Sequence, residues 1–178
     1  MTAMTGYHLV QHTGYYFEDV PDEYAEIREI YLDYQEARIA ERGTQVNTIW
    51  DAIPAMQEAT GMNFYELSRT LQKISIQLIL THPGEYLSRV ARGWWFFWRA
   101  PVYWDQAALE STPIGSALPA VIRGARGAIF FANMIFIITS LAGLVSKRLR
   151  QLWALDRFMW ILAASVWATS IVSSMLDH

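Results

Sequence analysis

Arg89, Arg92 and Arg99 flank and follow the run Trp94-Trp95-Phe96-Phe97-Trp98. A guanidinium fork meets a phosphate through two parallel hydrogen bonds. Tryptophan settles where a bilayer's headgroups meet its acyl chains. The combination points to lipid-phosphate or headgroup contact by Arg89, Arg92 and Arg99. Trp94, Trp95, Trp98 and Trp104 are the matching interfacial anchors. The same residues also serve for generic anchoring to anionic headgroups. His82 and Arg123 are further side chains that could join such a site.

Other chemistry finds less support. His8 and His12 have a spacing that ligates metal on a helix, but their segment does not read as helical and no HExxH pattern surrounds them. They read as solvent-facing loop histidines. Glu18, Asp19, Asp22 and Glu23 offer hard oxygens for a divalent cation, yet read as a solvated loop and helix start. No metal site and no cofactor are expected. The absence of cysteine excludes a thiol nucleophile, a zinc-thiolate site and an iron–sulfur cluster. No glycine-rich phosphate loop is present. Paired carboxylates for glycoside chemistry require a placement that spacing alone does not fix, and no catalytic residue is assigned.

These side chains must be carried by something greasy. The 178 residues are 53% hydrophobic and 17% charged, with 8 Trp, 9 Tyr and 8 Phe. That charged fraction is below the roughly 25% of a soluble domain. Disorder is excluded by the aromatic content, and a net charge of −3 argues against nucleic-acid binding. The charge is also divided: residues 1–90 sum to −7 and residues 91–178 to +4. An acidic soluble portion joined to a basic membrane portion has this signature.

Residues 127–145 and 158–176 contain no charged side chain. Each run is about the length a helix needs to cross a hydrocarbon core of roughly 30 Å. The fold expected is all-α: a helical exoplasmic segment, an interfacial aromatic helix and a two-helix transmembrane hairpin. The expected boundaries are 1–105 for the soluble segment ending in the Trp-rich helix, 106–126 for a connector and 127–178 for the hairpin. Lys147, Arg148, Arg150 and Arg157 between the spans outnumber Arg123 and Arg126 outside them, so the linker faces the cytoplasm and both termini the other side. Asn133 can hydrogen-bond between helices; Ala164, Ala168 and Ser173 suit close contact.

Within the soluble segment, residues 1–20 show no period and read as loop with one short extended stretch. Asp22 can cap a helix to about Arg42, with Gly43 past its end; Tyr24, Ile27, Tyr31 and Tyr34 would face inward. Glu36 and Arg38, two apart, cannot face each other. A helix over 48–59 has Asn47 as cap, Gly61 as stop and Pro54 to kink or divide it. The next carries a capping box, Asn63 with Glu66, and the apolar face Leu67, Leu71, Ile74 and Leu78. Pro83 and Glu85 suit the first turn of the aromatic helix. Its expected faces are Leu87, Ala91, Trp94 and Trp98 against Arg89, Arg92, Phe96 and Arg99.

The stretch HPGEYLSRVARGWWFFW, then a proline-containing connector and an apolar span, resembles the late part of bacterial membrane glycosyltransferases. These are the family 39, protein-mannosyltransferase-like enzymes of the GT-C architecture. His82, Pro83, Tyr86, Leu87, Phe97 and Trp98 stand at the matching places, and GYYFEDVPDEYAEIREIYLDYQEAR resembles the start of the family's exoplasmic segment. The resemblance covers most of residues 6–178. It implies a polytopic enzyme of the bacterial inner membrane that transfers a sugar from a polyprenyl-phosphate carrier. The bilayer, the polyprenyl-phosphate-linked sugar and other spans of the same enzyme are the implied partners. The family's acidic catalytic base lies in an earlier exoplasmic loop, so this chain would be a fragment, inactive alone. Earlier spans would also explain how an N-terminal segment without a signal peptide is exported. The competing expectation is a non-enzymatic two-span protein that binds a partner through its helical segment.

Overall fold

The computed structural model describes residues 4–99, 115, 118–152 and 157–176. The described residues form helices and no strand: α1 (Thr5–Thr13), α2 (Ala25–Arg42), α3 (Thr48–Thr60), α4 (Phe64–Thr81), α5 (Pro83–Arg99), α6 (Leu118–Val145), α7 (Lys147–Leu152) and α8 (Arg157–Leu176). Two 3-10 turns, Gly14–Asp19 and Asp22–Tyr24, join α1 to α2. The chain divides into two compact units. Unit 1 holds residues 1–93 and 173–178; unit 2 holds 94–172.

Unit 1 is organised around α1, the segment expected to be loop. The expectation fails because α1 is buried on nearly every side: Gly6, Tyr7, Leu9, Val10, Gln11, His12 and Thr13 are all inside. A helix without a polar face has no amphipathic period to read. It packs on α4 and α3. Gly6 makes the approach possible, since a Cβ there would sit 1.9 Å from the Ser68 carbonyl oxygen. The polar groups that α1 carries inward are matched. Gly6 N–H donates to Ser68 Oγ at 3.3 Å, Tyr7 Oη to the Phe64 carbonyl at 2.7 Å, and Thr13 Oγ1 to Ser75 Oγ at 3.2 Å. Gln11 and Asn47 clasp each other: Gln11 Nε2 donates to Asn47 Oδ1, and Asn47 N–H to Gln11 Oε1.

The remaining helices follow their local signals with some adjustments. α2 starts at Ala25, because Asp22 begins a 3-10 turn and its carboxylate accepts from Arg28 instead of capping. It ends at Gly43, whose φ of +68° suits only a residue without a Cβ penalty. Ile27 and Tyr31 are buried as expected, whereas Tyr34 is exposed. Arg38 pairs with Asp51 of α3. α3 runs unbroken through Pro54, and Asn47 spends its side chain on Gln11 instead of capping. The capping box of α4 forms in both directions, with Asn63 Oδ1 accepting from Glu66 N–H and Glu66 Oε2 from Asn63 N–H. Leu67, Leu71, Ile74 and Leu78 all lie in the core.

α6 begins nine residues before the uncharged stretch, so 118–126 is helix where a connector was expected. Pro119 is tolerated there because a first-turn N–H lacks an intrahelical partner anyway. α6 and α8 are both long and apolar enough to cross a membrane, over Leu118–Val145 and Phe158–Met175. Ala164 and Ala168 of α8 point outward; the buried small residues are Ser170 and Ser174.

Gly6→Ala is expected to cost about 3 kcal/mol or more, because the clash is with backbone that cannot yield. Asn63→Ala removes only a cap and should cost about 1 kcal/mol. Thermal melting of the full chain in detergent, followed by circular dichroism, ranks the two.

Candidate functional site

The three arginines singled out from sequence have different fates. In unit 1, Arg89 lays its guanidinium over the Tyr15 ring, 3.2 Å from the centroid. A cation held this way interacts with the ring quadrupole. Arg92 is exposed. Arg89 is thus engaged by Tyr15, while Arg92 lies three residues further along the same helix.

Arg99, in unit 2, has different company. It lines a recess of about 300 Å³ with Arg123, Arg126, Gly127 and Phe130. Arg123 was a possible member by sequence; Arg126 was noted only as a charge flanking the span. The signal that links them is their i, i+3 spacing on what proves to be helix. The described residues of unit 2 include no Asp or Glu, so no described carboxylate there neutralises this cluster. Phe96 lies beneath the Arg99 guanidinium at 5.8 Å. The recess therefore combines permanently charged donors with an aromatic wall. Chemically it can bind an oxyanion; it holds no nucleophile and no general base.

The aromatic run of α5 fixes where Arg99 lies. Trp98 is 2% exposed. It stacks on Phe136 of α6 at 5.7 Å and packs against Trp167 of α8 at 5.6 Å. Trp94 stacks on Trp167 at 5.9 Å. Its Nε1 donates to Ser170 Oγ, and Trp167 Nε1 donates to Ser140 Oγ. Both serines pass the hydrogen bond on to carbonyls of their own helices, Trp167 and Ile137. The polar atom expected of Asn133 acts on α5: its Nδ2 donates to the Trp98 carbonyl at 2.8 Å. Trp95 and Phe96 face outward, at 43% and 39% exposure. Of the four expected anchors, Trp98 is thus a core residue and Trp94 half-buried, while Trp104 lies outside the described residues. In the first half of α5 the expected apolar face also shifts: Leu87 and Ala91 are exposed and Tyr86 is buried.

A second polar cluster lies in unit 1, where sequence offered no pattern. His82 Nε2 is 2.9 Å from Asp19 Oδ2, and the Tyr16 ring lies tilted against His82 with ring centroids 4.8 Å apart. The acidic group proposed as a cation site is dispersed by this pairing and by Asp22 with Arg28. No cluster of metal-binding side chains occurs among the described residues. His12, expected in solvent, is 1% exposed and meets the edge of Tyr86 at 5.8 Å. His8 meets Trp50 edge-on at 5.7 Å. Burial pushes the Tyr16 phenol up to about 12, with Arg89 opposing and Glu85 and Tyr86 adding. Its hydroxyl has no hydrogen-bond partner among the described residues. The cluster ties the 3-10 turn to the junction of α4 and α5.

Two measurements test these assignments. Below pH 10 the Tyr16 phenol is neutral in both folded and unfolded chains. Between 10 and about 12 only the unfolded chain ionises, so stability falls through that window. Tyr16→Phe should flatten that fall in pH-dependent unfolding and change stability by under about 0.5 kcal/mol at pH 7, since no hydrogen bond is lost. Asn133→Ala leaves the Trp98 carbonyl unpaired and should cost about 1–2 kcal/mol when unfolding is followed in micelles.

No protein family, curated protein or solved structure matches this chain.

Proposed function

We propose that the chain is an integral membrane protein whose Arg99–Arg123–Arg126 recess holds a lipid-borne phosphate. The observation that carries this reading is a recess lined by three arginines, with no described carboxylate in their unit. Arg123 and Arg126 sit near the start of a helix whose following turns are uncharged and mostly exposed, with Phe131, Ile135 and Ile138 all above 60%. Fork-shaped cations at the mouth of an apolar span suit an anion that carries an acyl or prenyl tail. The excess of Lys and Arg between α6 and α8 supports a cytoplasmic linker, with the recess on the exoplasmic face of a bacterial inner membrane.

The resemblance to family 39, GT-C glycosyltransferases gives this site a role. The phosphate is that of a polyprenyl-phosphate-linked sugar, and the chain is the later part of the transferase. It supplies carrier contacts, while the carboxylate base and the remaining spans belong to the rest of the enzyme. The competing reading, a two-span protein that acts through a partner of unit 1, makes the arginines mere anchors.

The test is lipid retention by the full chain in nanodiscs of phosphatidylcholine doped with polyprenyl phosphate or phosphatidylglycerol. Arg99→Gln, and Arg123→Gln with Arg126→Gln, should each weaken retention about tenfold, a loss of roughly 1.4 kcal/mol. Arg92→Gln should leave it unchanged. Equal retention by all four proteins overturns the recess as a phosphate site. A preference for polyprenyl phosphate over phosphatidylglycerol supports the carrier; none favours the anchoring reading.

A further inference from the structure

We infer that the Trp94–Arg99 end of α5 is not a headgroup-level belt but a half-helix sunk into the apolar layer, with Trp95 and Phe96 facing acyl chains. The inference rests on α6 and α8 spanning a membrane. Given that, their own residues measure depth. The uncharged stretch of α6 starts at Gly127, so at 1.5 Å per residue Asn133 lies roughly 9 Å inside it and Phe136 roughly 13 Å. A hydrocarbon core is roughly 30 Å thick, so Phe136 is near its middle. Asn133 and Phe136 are the residues that bind the Trp98 carbonyl and stack on the Trp98 ring. α8 supplies an independent scale. Trp167 lies roughly 13 Å from Phe158, again near the middle, and it packs on both Trp94 and Trp98. Two helices thus assign the tip of α5 the same depth.

The polar groups at that depth are treated as a dry layer demands. Unsatisfied backbone and side-chain polar groups cost several kcal/mol in hydrocarbon, so they must be paired inside the protein. Here the Trp98 carbonyl is taken by Asn133, and the Trp94 and Trp167 indoles by Ser170 and Ser140. A helix lying at the headgroups would have water for all of these. Arg99, one residue past the buried Trp98, is the exception that fits. Its long stem can carry the guanidinium back toward Arg123 and Arg126 at the mouth of the span, as cationic side chains do when their backbone is submerged. The large outward aromatics Trp95 and Phe96 then face chains instead of water, alongside Phe131 and Ile135 of α6.

The chain contains no cysteine, so single-cysteine variants need no background changes. Phe96→Cys, with Trp95→Cys as a second probe, is labelled with a nitroxide in proteoliposomes of phosphatidylcholine and phosphatidylglycerol. Collision with oxygen, which partitions into the bilayer, is compared with collision with a water-soluble nickel chelate. Ile138→Cys gives the bilayer reference and Tyr65→Cys, exposed in unit 1, the aqueous one. The expected result is an oxygen-dominated label at 96 or 95, several-fold above the Tyr65→Cys ratio and close to that of Ile138→Cys. A nickel-dominated label at both positions beside an oxygen-dominated Ile138→Cys overturns the half-helix and leaves the spans standing. Nickel-dominated labels at all positions overturn the membrane reading and the half-helix with it.

Discussion

In the last described turn of α5, the Asn133 side chain donates to the Trp98 carbonyl at 2.8 Å. Much of unit 2 depends on that hydrogen bond. A carbonyl left bare between two apolar helices would cost about what a lost hydrogen bond costs and would push the helix end toward water. With Asn133 in place, the end can stay buried. Trp98 then packs against Phe136 and Trp167, and Trp94 stacks on Trp167. Aromatic pairs of this kind add about 0.5–1.5 kcal/mol each beyond their area. The polar bond comes first in the causal order, because without it the tryptophans could be buried only with an unpaired carbonyl among them.

Unit 1 solves a related problem by another route. Its central helix, α1, is surrounded by protein, so every donor and acceptor that it carries inward must meet a partner. It does so with side chains of moderate reach. Tyr7, Thr13 and Gln11 find a carbonyl, a hydroxyl and an amide on neighbouring elements. Gly6 and Gly14 let the chain come close enough, since a Cβ at Gly14 would strike the Tyr31 hydroxyl at 2.0 Å. Gly6 and Gly14 are therefore packing residues.

That contrast explains what could be read from sequence. The capping box at Asn63 and Glu66 and the apolar stripe of α4 were legible because each depends on residues three or four apart. The two spans were legible because hydrocarbon imposes the same demand on every residue of a run. α1 was not, because its burial comes from α3 and α4, which lie far along the chain. The WWFFW run was legible as unusual, but its partners Asn133, Phe136 and Trp167 belong to other helices, so its depth was not. Arg99 was picked for its chemistry, while its partners Arg123 and Arg126 became visible only once 118–126 proved helical.

The same side-chain type meets opposite conditions in the two units, and this decides what arginine can do in each. Unit 1 carries the acidic share of the sequence, and its cations find neighbours: Arg28 with Asp22, Arg38 with Asp51, Arg89 over Tyr15. Such groups are balanced within the fold and have little left for a ligand. Arg99, Arg123 and Arg126 have no described acidic partner in their unit. Like charges that share one recess repel, and guanidinium does not escape by losing a proton. Repulsion of that kind is relieved by an anion from outside the protein. At the mouth of an apolar span, the anions at hand are those that lipids carry. The charge asymmetry between the halves of the chain thus separates a unit whose arginines have acidic or aromatic neighbours from one whose described arginines share a recess without a described carboxylate.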